Sequence, residues 1–331
     1  MNIQEVHIAN KSNNLITLKN DNIEVTFLDL GATIYSLKTK NKNNKLENIV
    51  LQYQDIQEYS NNPSYFNATV GRVAGRIKDA KIILNNKIYD LERNYQNKHT
   101  LHGGFNCLTH QKFDFEIISE TKVKFTTMQK SSVDSFPGNV AISVTYELLE
   151  NSLVISFDAI SDADTVLNMT NHCYYNLSGD YKATIVDHRL KVPAKKFVNV
   201  DGDLIPTEVL SLPEEMDFNI KSKISNKLKY QDSKYFSEGG IDHCYIVDAE
   251  IKLEDPTSGR KLKVSSSYPA MQIYTCNFID GRILSNGKAF KKHDAICFEP
   301  QYVGAFDGNY DNHPAKLNKD QEYKHFIRLD F

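Results

Sequence analysis

The sequence predicts an all-β protein that folds as a large antiparallel β-sandwich. Apolar and polar residues alternate with a period of two in short segments along the whole chain, the pattern of half-buried strands. Asn, Asp, Gly or Pro bound most of these segments, and these residues favour turns. A parallel α/β sheet requires helical crossovers of a dozen or more residues between its strands. Because the sequence offers no series of such helices, an antiparallel sandwich is the better interpretation.

The predicted strands follow one another in chain order. The first group covers residues 22–28, 81–91 with a turn at Asn85-Asn86, 112–127, 140–148 and 153–159. The later strands are shorter and cover residues 189–192, 242–247, 261–266, 270–275, 295–299 and 324–329. Helical turns are expected only at residues 52–59 and near 228–235.

Two other segments are predicted to be irregular. Residues 193–221 form the longest of them, and a loop of this length is either a functional rim or a surface cover. Residues 281–287 begin and end with glycine and precede Lys288, which resembles a phosphate-binding loop. Five residues separate these glycines, however, and Ala289 replaces the Ser or Thr that would hold magnesium. A hairpin loop is therefore predicted there.

Composition restricts the class of protein and its partners. No linker, low-complexity tract or fixed-period repeat divides the chain, so a single domain over residues 1–331 is expected. The 39 Lys and Arg nearly balance the 42 Asp and Glu, which argues against nucleic acid as a partner. No apolar run suits a secretory signal or a membrane span. A cytoplasmic protein with no membrane partner is expected.

The sequence also lacks the common signatures of cofactor and metal sites. The five cysteines are odd in number and widely spaced, and they form no Cys-x-x-Cys pair, so neither disulfides nor a zinc site are predicted. The motifs G-x-G-x-x-G, H-E-x-x-H and G-x-S-x-G do not occur. The prediction is therefore a protein without cofactor or metal.

Polar and ionisable residues are concentrated in four parts of the chain, within strand-like or glycine-turn surroundings. These parts are NATVGRVAGRI at 67–77, TLHGG at 100–104, NHCYYNLSG at 171–179, and the late group GGIDHCYIV, PAMQIYTCNF and CFEPQYVGAFDGN. A rigid sheet would carry a binding site on such segments. Taken singly, their residues have ordinary explanations: His102 as a turn residue, His172 as a core histidine, and Asp242 and Glu299 as solvated carboxylates.

Taken together and in this order, the segments resemble the aldose 1-epimerase family. The pattern of that family runs GR-x-A-x-RI, LHGG, NH-x-Y-x-NL-x-G, D-H, Q-x-YT and E-x-Q. Here it appears as GRVAGRI, LHGG, NHCYYNLSG, IDHCYIV, MQIYTCNF and FEPQ. The resemblance covers about residues 67–309 and implies the galactose-mutarotase-like supersandwich, with a sugar cleft on one open face.

The resemblance also implies roles for individual residues. His172 matches the general acid of the family and Glu299 its general base. The residues that match sugar-binding positions are Arg72, Gly75, Arg76, His102, Tyr174, Asp242 and Gln272. Gly75 stands where many members carry Asn, and the chain has no Trp, so aromatic contacts with a sugar must come from Tyr or Phe.

The implied activity is the interconversion of the α and β anomers of a free aldohexose such as galactose or glucose. One base takes a proton from the anomeric hydroxyl while one acid gives a proton to the ring oxygen, so no metal is needed. Two alternatives stay open: an epimerase of hexose 6-phosphates, which needs a cationic clamp for the phosphate, and a non-catalytic sugar-binding protein. The expected partner is a small sugar, and the protein is expected to be a monomer or a homodimer.

Overall fold

The computed structural model describes residues 1–230, 233–236 and 238–331, and strands dominate this part of the chain. The strands are β1 (Asn2–Ile8), β2 (Lys11–Lys19), β3 (Ile23–Leu28), β4 (Thr33–Lys40), β5 (Leu46–Asn48), β6 (Thr69–Val70), β7 (Arg76–Ile77), β8 (Lys81–Leu84), β9 (Lys87–Asp90), β10 (Thr100–Leu101), β11 (Asp114–Ser119), β12 (Lys122–Gln129), β13 (Val140–Leu148), β14 (Ser152–Ser161), β15 (Thr165–Val166), β16 (Thr170–Asn171), β17 (Tyr174–Tyr175), β18 (Arg189–Lys191), β19 (Ala194–Val200), β20 (Pro206–Ser211), β21 (Ser222–Lys223), β22 (Asp242–Val247), β23 (Ile251–Glu254), β24 (Lys261–Ser266), β25 (Ala270–Tyr274), β26 (Ile296–Gln301), β27 (Lys316–Leu317) and β28 (Tyr323–Asp330).

Helical structure in the same residues is short. The α-helices are α1 (Ser131–Asp134) and α2 (Ser225–Leu228), and the 3₁₀ helices are Ile56–Ser60, Lys78–Ala80, Leu108–His110, Ile185–Asp187 and Glu214–Met216. None of these helices is long and apolar enough to cross a membrane. The predicted all-β class is therefore confirmed.

Three larger sheets organise the described residues. The first has the order β1-β2-β3-β4-β5, the second β11-β12-β13-β14-β28-β24-β23-β18-β21, and the third β17-β26-β25-β22-β19-β20. Neighbouring strands in them run antiparallel. One hydrophobic core contains inward-facing residues of all three sheets, which is the arrangement of a β-sandwich. The predicted antiparallel sandwich is confirmed.

Aromatic contacts fix the first sheet on the second. Phe27 of β3 stacks on Tyr146 of β13 with ring centroids 4.3 Å apart, and it meets Phe125 of β12 edge-on at 6.0 Å. The hydroxyl of Tyr146 donates a hydrogen bond to the carbonyl of Ala32, 2.6 Å away. Because full burial of each such side chain contributes about 1.5–3 kcal/mol, these contacts hold the two sheets in one relative position.

Most of the predicted strands are confirmed. The strands β13, β22 and β24 have the predicted bounds. The predicted hairpin at 81–91 is β8 and β9, joined by Asn85 and Asn86, which both have positive φ as a tight hairpin turn requires. In the predicted hairpin loop at 281–287, Leu284 N–H donates to the carbonyl of Lys288 at 2.8 Å.

The prediction that residues 193–221 lack regular structure is wrong. The segment contains β19 and β20, which pair with each other. A register shift between Ala194 and Lys196 interrupts the alternation in β19. Pro206 begins β20, which lies at the edge of the third sheet as Pro in a strand usually does. Both features hide the strand pattern in the sequence.

The predicted helical turns have mixed outcomes. The 3₁₀ helix Ile56–Ser60 overlaps the turn predicted at 52–59. In the second region α2 ends at Leu228, while residues 231 and 232 lie outside the described residues. The hairpin β1–β2 was not predicted, because its sequence is rich in polar residues and most of β1 is exposed.

Arg72 has a structural position, contrary to its predicted role in sugar binding. Its guanidinium is fully buried and forms two hydrogen bonds with the Asp134 carboxylate, Nε to Oδ2 at 2.7 Å and Nη2 to Oδ1 at 2.9 Å. Its Nη1 donates to the carbonyl of Pro137 at 2.8 Å and to Thr165 Oγ1 at 3.1 Å. With these donors engaged inside the protein, the side chain joins the β6–β7 segment to the turn before β13.

We predict that Asp134→Ala destabilises the fold by about 3–5 kcal/mol, because it leaves the Arg72 charge buried without its partner. The free energy of unfolding is measured by urea denaturation. The control is Glu322→Ala, which breaks an exposed ion pair with Lys324 and should leave the urea midpoint unchanged. Equal midpoints for the two variants would contradict the structural role of Arg72.

Candidate active site

A cavity of about 270 Å³ lies on one face of the third sheet. Its floor comes from β22, β25 and β26, and its walls come from the segments around β7 and β10 and from the β19–β20 hairpin. The predicted site residues that line it are Gly75, Arg76, His102, His172, Tyr174, Asp242, Gln272 and Glu299. Arg72 is not among them. The β19–β20 hairpin contributes Val198, Val200, Leu204 and Pro206, so this part of residues 193–221 forms a rim of the cavity.

Strand register explains how the floor is assembled. Glu299 on β26 lies opposite Gln272 on β25, which lies opposite Cys244 on β22. Asp242 and Tyr274 form the next pair on the same face, because side chains two residues apart in a strand point the same way. All residues of β26 are buried, and the strand lies between β17 and β25. Glu299 therefore stands on a rigid, paired strand.

His172 comes from the segment that follows β16. Its backbone N–H donates to the carbonyl of Ala68 at 2.9 Å, and its own carbonyl accepts from Asn67 N–H at 3.0 Å. The imidazole stacks on the Tyr174 ring at a centroid distance of 5.0 Å and meets the His102 ring edge-on at 5.1 Å. These contacts hold the imidazole beside Glu299.

The predicted acid and base are brought together. His172 Nε2 lies 3.4 Å from Glu299 Oε1, and the two residues are 5% and 2% exposed. Burial raises the pKa of Glu299 well above its ordinary value; the Asp242 carboxylate adds to this effect and Arg76 opposes it. Burial lowers the pKa of His172 to about 4. In both cases removal from water disfavours the charged form.

The protonation state of the pair is best described by the total number of titrating protons on His172 and Glu299. A neutral carboxylic acid beside a neutral imidazole carries one titrating proton, and so does a carboxylate beside an imidazolium. Groups that interact this closely titrate as a unit. The two forms differ by the position of one proton between Glu299 and His172, so the charged form can arise without any change in net charge.

A second set of contacts joins Arg76, Asp242 and Gln272. Gln272 Nε2 donates to Asp242 Oδ1 at 2.6 Å, while Arg76 Nη2 lies 3.7 Å from Asp242 Oδ2. The guanidinium carbon of Arg76 stands 4.8 Å from the centre of the Tyr95 ring, a cation–π contact. Its buried Nε has no hydrogen-bond partner among the described residues. Arg76 is therefore held in place, and its Nε–H can still donate a hydrogen bond to a ligand.

The LHGG turn positions His102. The backbone N–H of His102 donates to the carbonyl of Gly75 at 2.9 Å, and Gly75 N–H donates to His102 Nδ1 at 3.3 Å. Gly103 has φ +94°, and a Cβ there would stand 2.2 Å from the carbonyl oxygen of Gly71. Only glycine fits this close backbone approach. The glycine after His102 is thus a packing requirement of the turn.

The same geometry bears on metal binding. His102, His172 and Glu299 each offer one donor atom, and these three atoms lie within 4.8 Å of one another. Because Nδ1 of His102 accepts a hydrogen bond from Gly75, its ring proton belongs on Nε2, which faces away from that bond. Nε2 could coordinate a metal only if the proton moved to Nδ1 and the bond to Gly75 were lost. The residues therefore fit an acid–base site better than a metal site.

Several cavity residues were not singled out from the sequence. Tyr65 meets His102 edge-on at a centroid distance of 4.7 Å, and Tyr95 supports Arg76. Phe278 and Gln301 also line the cavity. Because the chain has no Trp, we predicted that Tyr or Phe would contact a sugar. No local sequence pattern indicates which Tyr and Phe residues do so. Gln301 is the final residue of the E-x-Q pattern, so it could have been identified from the sequence.

Comparison with known proteins identifies the family. The family model described as aldose 1-epimerase matches residues 14–330. Galactose mutarotase of Mus musculus is 30% identical over 321 residues, covering 95% of this chain and 92% of the relative. Aldose 1-epimerase of Haemophilus influenzae is 34% identical over 314 residues, covering 92% and 89%. The crystal structure of galactose 1-epimerase from Lactobacillus acidophilus superposes with a TM-score of 0.87 at 26% identity, covering 99% of this chain and 97% of that one. This chain belongs to the aldose 1-epimerase family.

Proposed function

We propose that this protein interconverts the α and β anomers of a free aldohexose, with galactose and glucose as the first candidates. The observation that carries the proposal is the buried His172–Glu299 pair, 3.4 Å apart, in a cavity large enough for one monosaccharide. The relatives named galactose mutarotase and aldose 1-epimerase support the same activity. Polarimetry of freshly dissolved α-D-galactose tests it: the rotation should reach equilibrium faster than in buffer alone.

Ring opening requires two proton movements. Glu299, as the carboxylate, takes the proton of the anomeric hydroxyl, and the bond between C1 and the ring oxygen breaks. His172, as the imidazolium, gives its proton to the departing ring oxygen. A positioned acid or base typically contributes ~10²–10⁴-fold to such a step. The products are the open-chain aldehyde, a protonated Glu299 and a neutral His172, which is the form of the pair that burial favours.

Reclosure reverses the roles of the two groups. The aldehyde turns about the C1–C2 bond and presents its other face to the hydroxyl that came from the ring oxygen. His172 takes the proton of that hydroxyl as the new bond forms, while Glu299 returns its proton to the aldehyde oxygen. The pair ends with the protons it began with, so the cycle needs no external acid or base. The anomeric configuration is all that has changed.

The remaining polar residues are proposed to bind the sugar. Arg76 and His102 donate hydrogen bonds to sugar oxygens. Asp242 accepts hydrogen bonds from neighbouring sugar hydroxyls through the carboxylate lone pairs that do not bind Gln272. Tyr174 supports the His172 ring rather than offering its hydroxyl, which donates to the carbonyl of Ser64 at 2.8 Å. A site that hydrogen-bonds hydroxyls in this way rejects sugars that lack them, because its own buried groups stay unpaired.

No observation favours a hexose 6-phosphate as substrate. Among the described residues that line the cavity, Arg76 is the one Lys or Arg, and Asp242 already neutralises it. The β19–β20 wall is apolar, and Arg72 is engaged with Asp134 inside the protein. The test is anomer exchange of glucose 6-phosphate alongside the free sugars. Acceleration restricted to the phosphorylated sugar would replace the present proposal.

We predict that Glu299→Gln and His172→Asn each lower kcat by about two orders of magnitude or more, because each removes one proton carrier. Polarimetry gives the rates, and the urea midpoint serves as the control for folding. A non-catalytic sugar-binding protein would instead bind galactose with no rate above buffer in the unmodified chain. Near-normal turnover by the Glu299→Gln variant would exclude Glu299 as the base.

The pH dependence of kcat/KM should be bell-shaped, since the active pair holds one proton. On the acid side a second proton is bound, and because burial lowers the pKa of His172, the fall of activity should come well below the ordinary imidazole range. On the alkaline side the last proton is lost. Because the pKa of Glu299 is raised by burial and by Asp242, this fall should come well above the ordinary carboxyl range.

Two variants test the electrostatic assignment with opposite signs. Asp242→Asn removes a negative charge that raises the pKa of Glu299, so the alkaline fall of kcat/KM should move to lower pH. Arg76→Gln removes a positive charge that lowers it, so the fall should move to higher pH. Both variants break the same Arg76–Asp242 contact and both weaken sugar binding. Shifts in the same direction would therefore contradict the assignment.

A further inference from the structure

Gln301 is a buried polar residue on the cavity face of the third sheet. It lies two residues beyond Glu299 on β26, so the two side chains point to the same side. Its side chain lines the cavity, and the residue is 6% exposed. Two residues along a strand correspond to about 7 Å. Gln301 thus extends the row of polar groups along the strand, away from the acid–base pair.

The amide of Gln301 is poorly paired inside the protein. Its Nε2 approaches Cys244 Sγ at 4.0 Å, a weak contact, and its buried Oε1 has no hydrogen-bond partner in the described part of the chain. Leaving a buried amide unpaired costs free energy, and an apolar side chain of the same shape avoids that cost. Without a ligand, glutamine at this position therefore does not stabilise the fold relative to an apolar residue of the same shape.

Open space lies next to this amide. Gly75 lines the cavity across from Gln301, and a Cβ built on Gly75 would have Gln301 Nε2 at 3.8 Å as its single neighbour within 4 Å. Gly75 has φ +76°, a conformation that favours glycine. Its backbone is held by both hydrogen bonds with His102. The space is therefore bounded by a fixed backbone on one side and by an amide donor on the other.

We propose that Gln301 is a sugar-binding residue that helps to determine specificity, its Nε2 donating to a sugar oxygen placed in the space over Gly75. The inference rests on the proposed aldohexose substrate and adds a contact to it. Because Gln301 is about 7 Å from Glu299 along the strand, the oxygen that it binds belongs to a part of the sugar distant from the anomeric hydroxyl. The absence of a side chain at residue 75 is what leaves room for that group.

The test combines Gln301→Leu with sugars that each lack one hydroxyl. Leucine replaces the amide by an apolar side chain of similar size, which cannot donate. The rates of mutarotation are measured for D-galactose and for its 2-deoxy, 3-deoxy, 4-deoxy and 6-deoxy forms, with the unmodified protein and with the variant. We expect Gln301→Leu to lower kcat/KM for galactose about 10-fold, mainly through KM, as loss of one hydrogen bond would.

Non-additivity identifies the contact. The unmodified protein should lose a similar factor on one of the deoxy sugars, and on that sugar Gln301→Leu should cause no further loss. An equal loss on every sugar would show a purely structural effect and would overturn the inference. An unchanged kcat/KM on every sugar would overturn it as well while leaving the proposed function intact. If the unmodified protein accelerates none of these sugars, the proposed function fails and the inference fails with it.

Two controls separate binding from folding. The urea midpoint of Gln301→Leu should equal or exceed that of the unmodified protein, because an unpaired buried amide has been removed. A lower midpoint would mean that the amide stabilises the empty fold, contrary to the proposal. Gln301→Glu keeps the size of the side chain but replaces the amide donor by a carboxyl group. At a pH where this carboxyl group is ionised it cannot donate, so the variant should there reproduce the loss on galactose, and full activity would overturn the assignment of Nε2 as donor.

Discussion

The constraint on which the site depends is that two ionisable groups must be held 3.4 Å apart and away from water. His172 and Glu299 are almost completely buried, and burial disfavours the charged form of each. A flexible scaffold would relieve this cost by turning either side chain towards solvent. Here the backbone of Glu299 lies opposite Gln272 in the β25–β26 ladder, and the backbone of His172 is hydrogen-bonded to Asn67 and Ala68, just before β6. The rigidity of the sheets is therefore a condition for keeping the pair in place.

Strand register determines the relative positions of the polar residues on the floor of the cavity. Asp242, Gln272 and Glu299 come from three neighbouring strands, and they share one face because side chains alternate. A slip of one residue in any of these strands would turn its polar group into the hydrophobic core and bring an apolar one into the cavity. The large buried core under this face makes such a slip costly. Core packing and the arrangement of the site are thus two results of one register.

The sequence predicted what depends on short-range pattern. Period-two alternation identified strands such as Val140–Leu148, and the family motifs identified most of the cavity residues. It did not predict β19 and β20, where a register shift and Pro206 disturb the alternation. It also did not separate Arg72 from Arg76, because a spacing of four residues says nothing about which partner a long side chain reaches. Those features are fixed by tertiary contacts from distant parts of the chain.

These two arginines show what distinguishes a structural charge from a binding one in this fold. Arg72 forms two hydrogen bonds with Asp134, and its other N–H groups donate to carbonyl and hydroxyl oxygens of the protein. It therefore has no N–H group left to bind a ligand. Arg76 keeps a buried Nε without a partner in the described residues, and its contact with Asp242 is long. Buried atoms of His172, Glu299 and Gln301 are likewise unpaired. Unpaired groups occur elsewhere too, but here they gather from several segments around one cavity, and a polyhydroxylated ligand is the kind of molecule that would complete them.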